Sequence, residues 1–121
     1  MAIGQQMNVT RIEEAKPYQA PGHFDMRGLR IQGWDVSDTK NVWVGLSHFL
    51  PGGGAAGDVS PVEKIYVVLD GTISVTHDDK EVILGPLDSC HIPPNAQRSI
   101  LNKTNKMVSM LVIMPYPESK K

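Results

Sequence analysis

The 121-residue sequence predicts an all-β domain, either an antiparallel sandwich or a barrel. Its 11 Gly and 9 Pro divide the chain into short segments. Several of these segments alternate in polarity or run apolar, with β-branched enrichment that is typical of strands. No segment shows a 3.6-residue apolar stripe over ten or more residues, so long helices are not expected. About eight short strands at this spacing indicate a sandwich or barrel.

The elements follow one another along a single domain, residues 1–121. One helical turn is predicted at Arg11–Ala15, ahead of strands that are separated by Gly, Pro, Asn and Asp. The tails, roughly 1–17 and 115–121, are predicted to be pairing arms or loose ends. The predicted strands are Leu29–Gly33, Val42–Leu50, Lys64–Leu69, Thr72–Thr76, Glu81–Leu84, Ser89–Ile92, Ser99–Leu101 and Met107–Met114.

Charge and composition exclude several classes of partner. Twelve Lys and Arg against thirteen Asp and Glu give a formal charge of −1, which does not favour a phosphate backbone. No window approaches a membrane span, and the first residues lack the apolar core of a signal peptide. A single Cys excludes an internal disulfide. We therefore expect a cytoplasmic domain that contacts neither nucleic acid nor a membrane.

Two spaced motifs carry a resemblance to a known family. The first, over residues 52–71, has Gly52, five residues, Asp58-Val59-Ser60, three residues, Lys64, six residues and Gly71. The second, over residues 87–102, has Leu87, five residues, Pro93-Pro94-Asn95, two residues, Arg98, three residues and Asn102. This spacing resembles that of the cupin superfamily. The resemblance implies an antiparallel double-stranded β-helix, the jelly-roll barrel, as a small single-domain cupin.

The resemblance also implies a metal site, and the residues depart from it. Metal-dependent cupins place two His, a Glu and a third His in slots that here hold Asp58, Ser60, Lys64 and Arg98. Protonated Lys and Arg have no lone pair to offer a cation and would repel it inside a barrel. We therefore predict no metal at this site and no cofactor.

The replacements predict a different chemistry at the same place. If the slots still converge, then Asp58, Lys64 and Arg98 form an ion cluster with a surplus positive charge. That surplus would recruit a small carboxylate or enolate, with Arg98 as a bidentate fork and Lys64 as a point donor. The competing interpretation is that Glu63 or Asp88 neutralises the surplus and the cluster is an internal brace.

Other residues are candidates for the same pocket. Strand alternation places Lys64, Tyr66 and Val68 on one interior face, so Tyr66 could donate its hydroxyl to a ligand. His48 is the best general acid or base unless it is a core histidine, and the inner face could instead carry Ser47. The remaining ligand-binding candidates are Ser60, His91 and Asn102, while His23 could cap the barrel mouth. A metal site built from His48, His91, His23 or Glu63 stays open.

Three functions are compatible with this sequence. The first is a metal-independent lyase, decarboxylase or isomerase acting on a small anionic metabolite, with Lys64, Arg98, Asp58 and His48 as catalytic candidates. The second is a binding or sensor protein that holds the same anion without turnover. The third is an inert scaffold with a self-neutralised core. Edge strands also predict a homodimer.

Overall fold

A computed structural model describes residues 6–118 and shows nine antiparallel strands preceded by a short 3-10 helix at Ile12–Glu14. That helix confirms the predicted single turn. From β4 onward, the strands begin and end within two residues of their predicted bounds. The strands are β1 (Lys16–Tyr18), β2 (His23–Gln32), β3 (Val42–Val59), β4 (Lys64–Asp70), β5 (Ile73–His77), β6 (Lys80–Leu84), β7 (Ser89–Ile92), β8 (Gln97–Leu101) and β9 (Val108–Pro115).

The strands form one sheet that curls into a nearly closed barrel, which confirms the predicted fold class. Its order is β6-β5-β8-β3-β9-β4-β7, with β2 added to β3 and β1 added to β2. Strand β3 pairs with β9 along Val42–Phe49 and then bends to pair with β8. Strand β3 therefore connects the β9 side of the barrel to the β8 side. The motif positions Asp58, Ser60, Lys64 and Arg98 all line the same interior.

The glycine run after Pro51 corrects one prediction. The sequence predicts that this strand ends at Leu50, but the glycine run continues β3 as a strand to Val59. A Cβ at Gly53 would lie 2.1 Å from the Asp25 carbonyl oxygen, and one at Gly54 would lie 2.0 Å from that of Ile100. Glycine is therefore needed here because neighbouring backbones approach too closely for any side chain.

The N-terminal region corrects a second prediction. Strand β2 begins at His23 rather than Leu29, and β1 begins in the segment that is predicted to be a pairing arm or a loose end and pairs with β2 of its own chain. The two strands pair so that Tyr18 lies opposite Gly28, whose missing side chain leaves room for the Tyr18 ring. The outer parts of both predicted arms, residues 1–5 and 119–121, lie outside the described residues.

Apolar side chains fill one part of the barrel and leave another part open. The packed part includes the fully buried Phe49, Val68, Ile73, Val108 and Met110. In the described part of the chain, no helix is long and apolar enough to cross a membrane.

Candidate functional site

Strand β4 carries alternate side chains into the barrel, as the sequence predicts. Lys64, Tyr66 and Val68 are buried, while Ile65 and Leu69 are exposed on the other face. Lys64 and Tyr66 line an interior cavity of about 260 Å³. This volume lies just below the range of about 300–1,000 Å³ for drug-sized ligands, so the cavity suits a small metabolite.

Arg98 reaches the same cavity from β8 and is only 4% exposed. Its Nε donates a hydrogen bond to the Tyr66 hydroxyl at 2.8 Å, and its Nη1 donates to the Ala56 carbonyl at 3.0 Å. A guanidinium has five N–H donors, so three remain for a ligand. The Nε edge is occupied by Tyr66, which restricts the predicted bidentate contact to the two terminal nitrogens.

Lys64 is a buried cation without a counterion. It is 5% exposed, and its ammonium makes no hydrogen bond or ion pair with any residue in 6–118. Burial lowers the pKa of Lys64, the charge of Arg98 lowers it further, and Asp58 opposes both effects. A charge buried in this way is costly unless something pairs with it.

The predicted ion cluster forms only in part. Asp58 lines the cavity and is the register partner of Arg98, but it is exposed and makes no ion pair with either cation. Neither acid of the brace interpretation reaches the cations. Glu63 accepts from His91 on the surface, and Asp88 accepts from the backbone of Gly85. The surplus positive charge therefore stays in the cavity wall.

Tyr66 can serve the cavity as a neutral hydrogen-bond donor. Burial raises its pKa, and the neighbouring Arg98 only partly offsets this effect. The phenol is therefore protonated near neutral pH. Since its oxygen accepts from Arg98, its own hydrogen remains available for a ligand.

His23 is the histidine that reaches the cavity. Its ring stacks on Phe49 with centroids 6.5 Å apart, and its Nδ1 lies 3.0 Å from the Pro21 carbonyl oxygen. Donation from Nδ1 to that carbonyl leaves Nε2 with a free lone pair. Burial lowers the pKa of His23, and the charges of Arg98 and Lys64 lower it further. The Pro21 hydrogen bond and Asp58 oppose the shift.

Three predicted site residues lie away from the cavity. His48 points to the outer face of β3, where its Nδ1 contacts the Ser109 hydroxyl at 3.0 Å, because its neighbour Ser47 occupies the inner face. His91 is exposed beside Glu63. Asn102 is fully buried, but its amide nitrogen donates to the carbonyls of Phe49 and Leu50 on β3 and of Lys106 in the bend before β9.

The structure also brings residues to the cavity that sequence reasoning missed. Tyr18, Arg30 and Trp43 line it together with Ser47, and Ser60 lines it as predicted. Tyr18 and Arg30 come from β1 and β2, which hold no cupin motif. The motif spacing therefore gave no signal for either residue.

The residues present do not fit the metal that many cupins hold. Two of the four ligand slots carry the buried cations Lys64 and Arg98. Across residues 6–118, no group of three or more His, Cys, Asp or Glu side chains could hold a metal ion. Divalent ions need lone-pair donors, and this wall presents N–H groups and positive charge instead.

The sequence matches the cupin domain family over residues 45–114, so the chain belongs to the cupin family. A curated relative, beta-D-galactosidase Rv1717 from Mycobacterium tuberculosis, is 41% identical over 111 residues. The match spans 92% of this chain and 96% of that protein.

Solved structures show the same fold. The polyketide cyclase RemF from Streptomyces resistomycificus superposes with a TM-score of 0.80 at 16% identity, covering 91% of this chain and 80% of its own. An RmlC-like cupin from Shewanella frigidimarina superposes with a TM-score of 0.76 at 13% identity, covering 98% of each chain.

Proposed function

We propose that this cupin binds a small carboxylate or enolate in its barrel cavity and moves a proton on it without a metal. One observation carries the proposal: two buried cations, Lys64 and Arg98, face a cavity of metabolite size, and neither pairs with an acid among the described residues. A carboxylate would supply the missing negative charge. The terminal nitrogens of Arg98 would bind it in plane, and Lys64 would add a point charge.

The proton transfer uses His23. Its lowered pKa keeps it neutral at physiological pH, so Nε2 can take a proton from the carbon next to the bound carboxylate or carbonyl. The electron pair of the broken C–H bond moves toward that group and forms an enolate, whose charge Lys64 and Arg98 stabilise. Return of the proton from His23 to a different carbon completes an isomerisation. In a lyase reaction the enolate electrons form a carbon–carbon double bond as the β-hydroxyl leaves, and the His23 proton converts that hydroxyl to water. Asp58 at the rim is a second candidate for carrying the proton.

Calorimetry tests whether the anion binds, and solvent exchange tests whether the protein moves a proton on it. Galacturonate and neutral galactose would be titrated calorimetrically in the presence of EDTA, and proton NMR in D₂O would follow the loss of carbon-bound protons. We expect galacturonate alone to bind and to exchange. Lys64→Met should abolish binding, and His23→Gln should abolish exchange while galacturonate still binds.

Other outcomes of this test decide between the functional classes. Binding of the acid without exchange, in this and a wider panel of small carboxylates, would identify a carrier or sensor and remove the enzymatic half. If no acid in the panel binds, the proposal is wrong. Lys80→Met removes an exposed cation outside the cavity, so it serves as the matched control and should behave as wild type.

Hydrolysis of a β-galactoside is a second candidate, favoured by the 41% identity to a protein named as a beta-D-galactosidase. Glycosidases usually place two carboxylates beside the glycosidic bond, and Asp58 is the one acid among the described residues that line this cavity. Hydrolysis here would need Asp58 with a different partner, such as Tyr66. A chromogenic β-galactoside tests it: turnover that Asp58→Asn abolishes would favour this candidate over proton transfer.

We also propose that the protein is a homodimer. Exposed apolar side chains on the edge strand β6 and on β8, among them Ile83 and Leu101 on either side of Ser74 in β5, give a second copy a surface to cover. Light scattering at working concentration should give twice the mass of 13.3 kDa, and a monomer would contradict the proposal.

A further inference from the structure

Arg30 is a third cation in the cavity wall, and aromatic rings hold it. Its guanidinium carbon lies 4.7 Å from the centroid of Tyr18, 4.9 Å from that of Trp34 and 5.8 Å from that of Trp43. The rings of Tyr18 and Trp43 also meet edge to face, with centroids 5.7 Å apart. A cation over ring faces is stabilised by the ring quadrupoles while its hydrogen-bond donors stay unused.

The donors of Arg30 have no acceptor in the described part of the chain. Its Nε is buried without a hydrogen-bond partner, and its side chain makes no ion pair there. Asp35 pairs with Lys16, on the strand next to Arg30, rather than with Arg30. Because the Nε is enclosed by the protein, an acceptor from outside would bind the terminal nitrogens of Arg30, which donate to no group in residues 6–118.

The charge of the cavity points the same way. Arg30, Lys64 and Arg98 line it with Asp58 as the only acid among the described lining residues, so its wall carries a net charge of two positive when His23 is neutral. A single carboxylate would neutralise only half of that excess. Two acidic groups on one ligand would neutralise all of it.

We propose that Arg30 forms a second anion subsite and that the ligand is a compact dicarboxylate, with one carboxylate on Lys64 and Arg98 and the other on Arg30. This inference rests on the proposed function and specifies its substrate class. The cavity of about 260 Å³ limits the ligand to a short chain, of the order of six carbons. Arg30 would act as a positioning residue that fixes the far end of the ligand while proton transfer takes place near His23.

A matched pair of sugar acids tests the subsite. Galactarate and galactonate have the same carbon skeleton and differ in whether the second end is a carboxylate or an alcohol. We expect the wild-type protein to bind galactarate at least tenfold more tightly than galactonate in a calorimetric titration. In Arg30→Gln this ratio should fall to threefold or less, and in Arg30→Lys it should lie between the two values.

Lys16→Gln is the control, because Lys16 does not line the cavity and its exposed ammonium pairs with Asp35. It should keep the wild-type ratio. If Arg30 only braces the aromatic rings, Arg30→Gln would lower the melting temperature and leave the ratio unchanged, which would overturn the inference.

Two different results would refute the Arg30 subsite alone and the proposed function as a whole. Equal wild-type affinity for the two acids, with both losing affinity in Lys64→Met, would refute the Arg30 subsite and keep the first subsite. That result needs no Arg30 variant to fold. If neither acid binds the wild-type protein, the proposed function fails and the inference fails with it.

Discussion

Replacing Lys64 with methionine should make the protein more stable while it removes ligand binding. Lys64 is 5% exposed, its ammonium has no partner in residues 6–118, and Arg98 repels it. Methionine has a similar length and no charge, so the variant loses the desolvation and repulsion costs and keeps the packing. Replacement even of buried ion pairs by apolar residues of similar volume is often neutral or stabilises the protein by about 1–4 kcal/mol, and Lys64 has no paired acid whose attraction would be lost.

We expect an increase of about 1–3 kcal/mol in the free energy of unfolding, because the ammonium faces a cavity and keeps part of its hydration. For a chain of 121 residues, the unfolding entropy converts each kcal/mol into about 4 °C. The melting temperature should therefore rise by roughly 4–12 °C. Urea unfolding monitored by the fluorescence of Trp34 and Trp43 gives the free energy directly.

The control is Lys80→Met, which removes an exposed lysine on β6 and should change stability by less than about 0.5 kcal/mol. A loss of more than about 1 kcal/mol in Lys64→Met would refute the reasoning, since it would mean that the ammonium is paired in the folded protein. A gain in stability, in a protein whose wild-type form binds none of the acids in the panel, would identify the inert scaffold that the sequence left open.

Three further predictions test the site and its frame. Asn102→Ala should lower stability by about 2–4 kcal/mol in urea unfolding, because three carbonyls lose their donor. Unchanged galacturonate affinity would confirm its purely structural role, and a matching loss would contradict it. Gly54→Ala should lower stability by more than about 3 kcal/mol, because the added Cβ clashes with the backbone of Ile100. Gly52→Ala should cost only about 1–2 kcal/mol, because Gly52 has φ +82° but open space around it. Equal losses for the two variants in urea unfolding would contradict this prediction. The exchange rate should depend on pH through His23 and Lys64. Because the pKa of His23 lies below 6.5, acidification should slow the exchange only below pH 6.5, where His23 becomes protonated. Because the pKa of Lys64 lies below 10.5, raising the pH should slow the exchange before pH 10.5 is reached, as Lys64 loses its proton. Stability should also fall as the pH drops below 6.5, because the unfolded chain binds the His23 proton more tightly than the folded chain; an acid limb above 6.5 would contradict the assignment.

The sequence predicted the strands from β4 onward because strand alternation and turn residues act locally. The spacing from Gly52 to Asn102 also identified which side chains would share the barrel interior, and Lys64, Tyr66 and Arg98 lie there. The end of β3 was predicted wrongly because the reason for the glycines after Pro51 is a contact with a distant part of the chain. Gly54 is needed by the backbone of β8, which lies 46 residues away at Ile100.

The inward face of β3 could not be chosen from the sequence. Both of its faces carry one polar residue among apolar ones, with Ser47 on one and His48 on the other. The structure decides between them because β9 places Ser109 opposite His48 on the outside. The contribution of Arg30 depends on the pairing of β1 with β2, and the β1 segment had been predicted to be an arm.

The proposed function requires that a carboxylate of the ligand occupies the space between Lys64 and Arg98. A crystal structure of the protein soaked with galacturonate would show it. We predict planar density for a carboxylate that contacts the Lys64 ammonium and the terminal nitrogens of Arg98. A spherical peak with short bonds to protein atoms, or a ligand bound elsewhere while this space holds only water, would contradict the central claim.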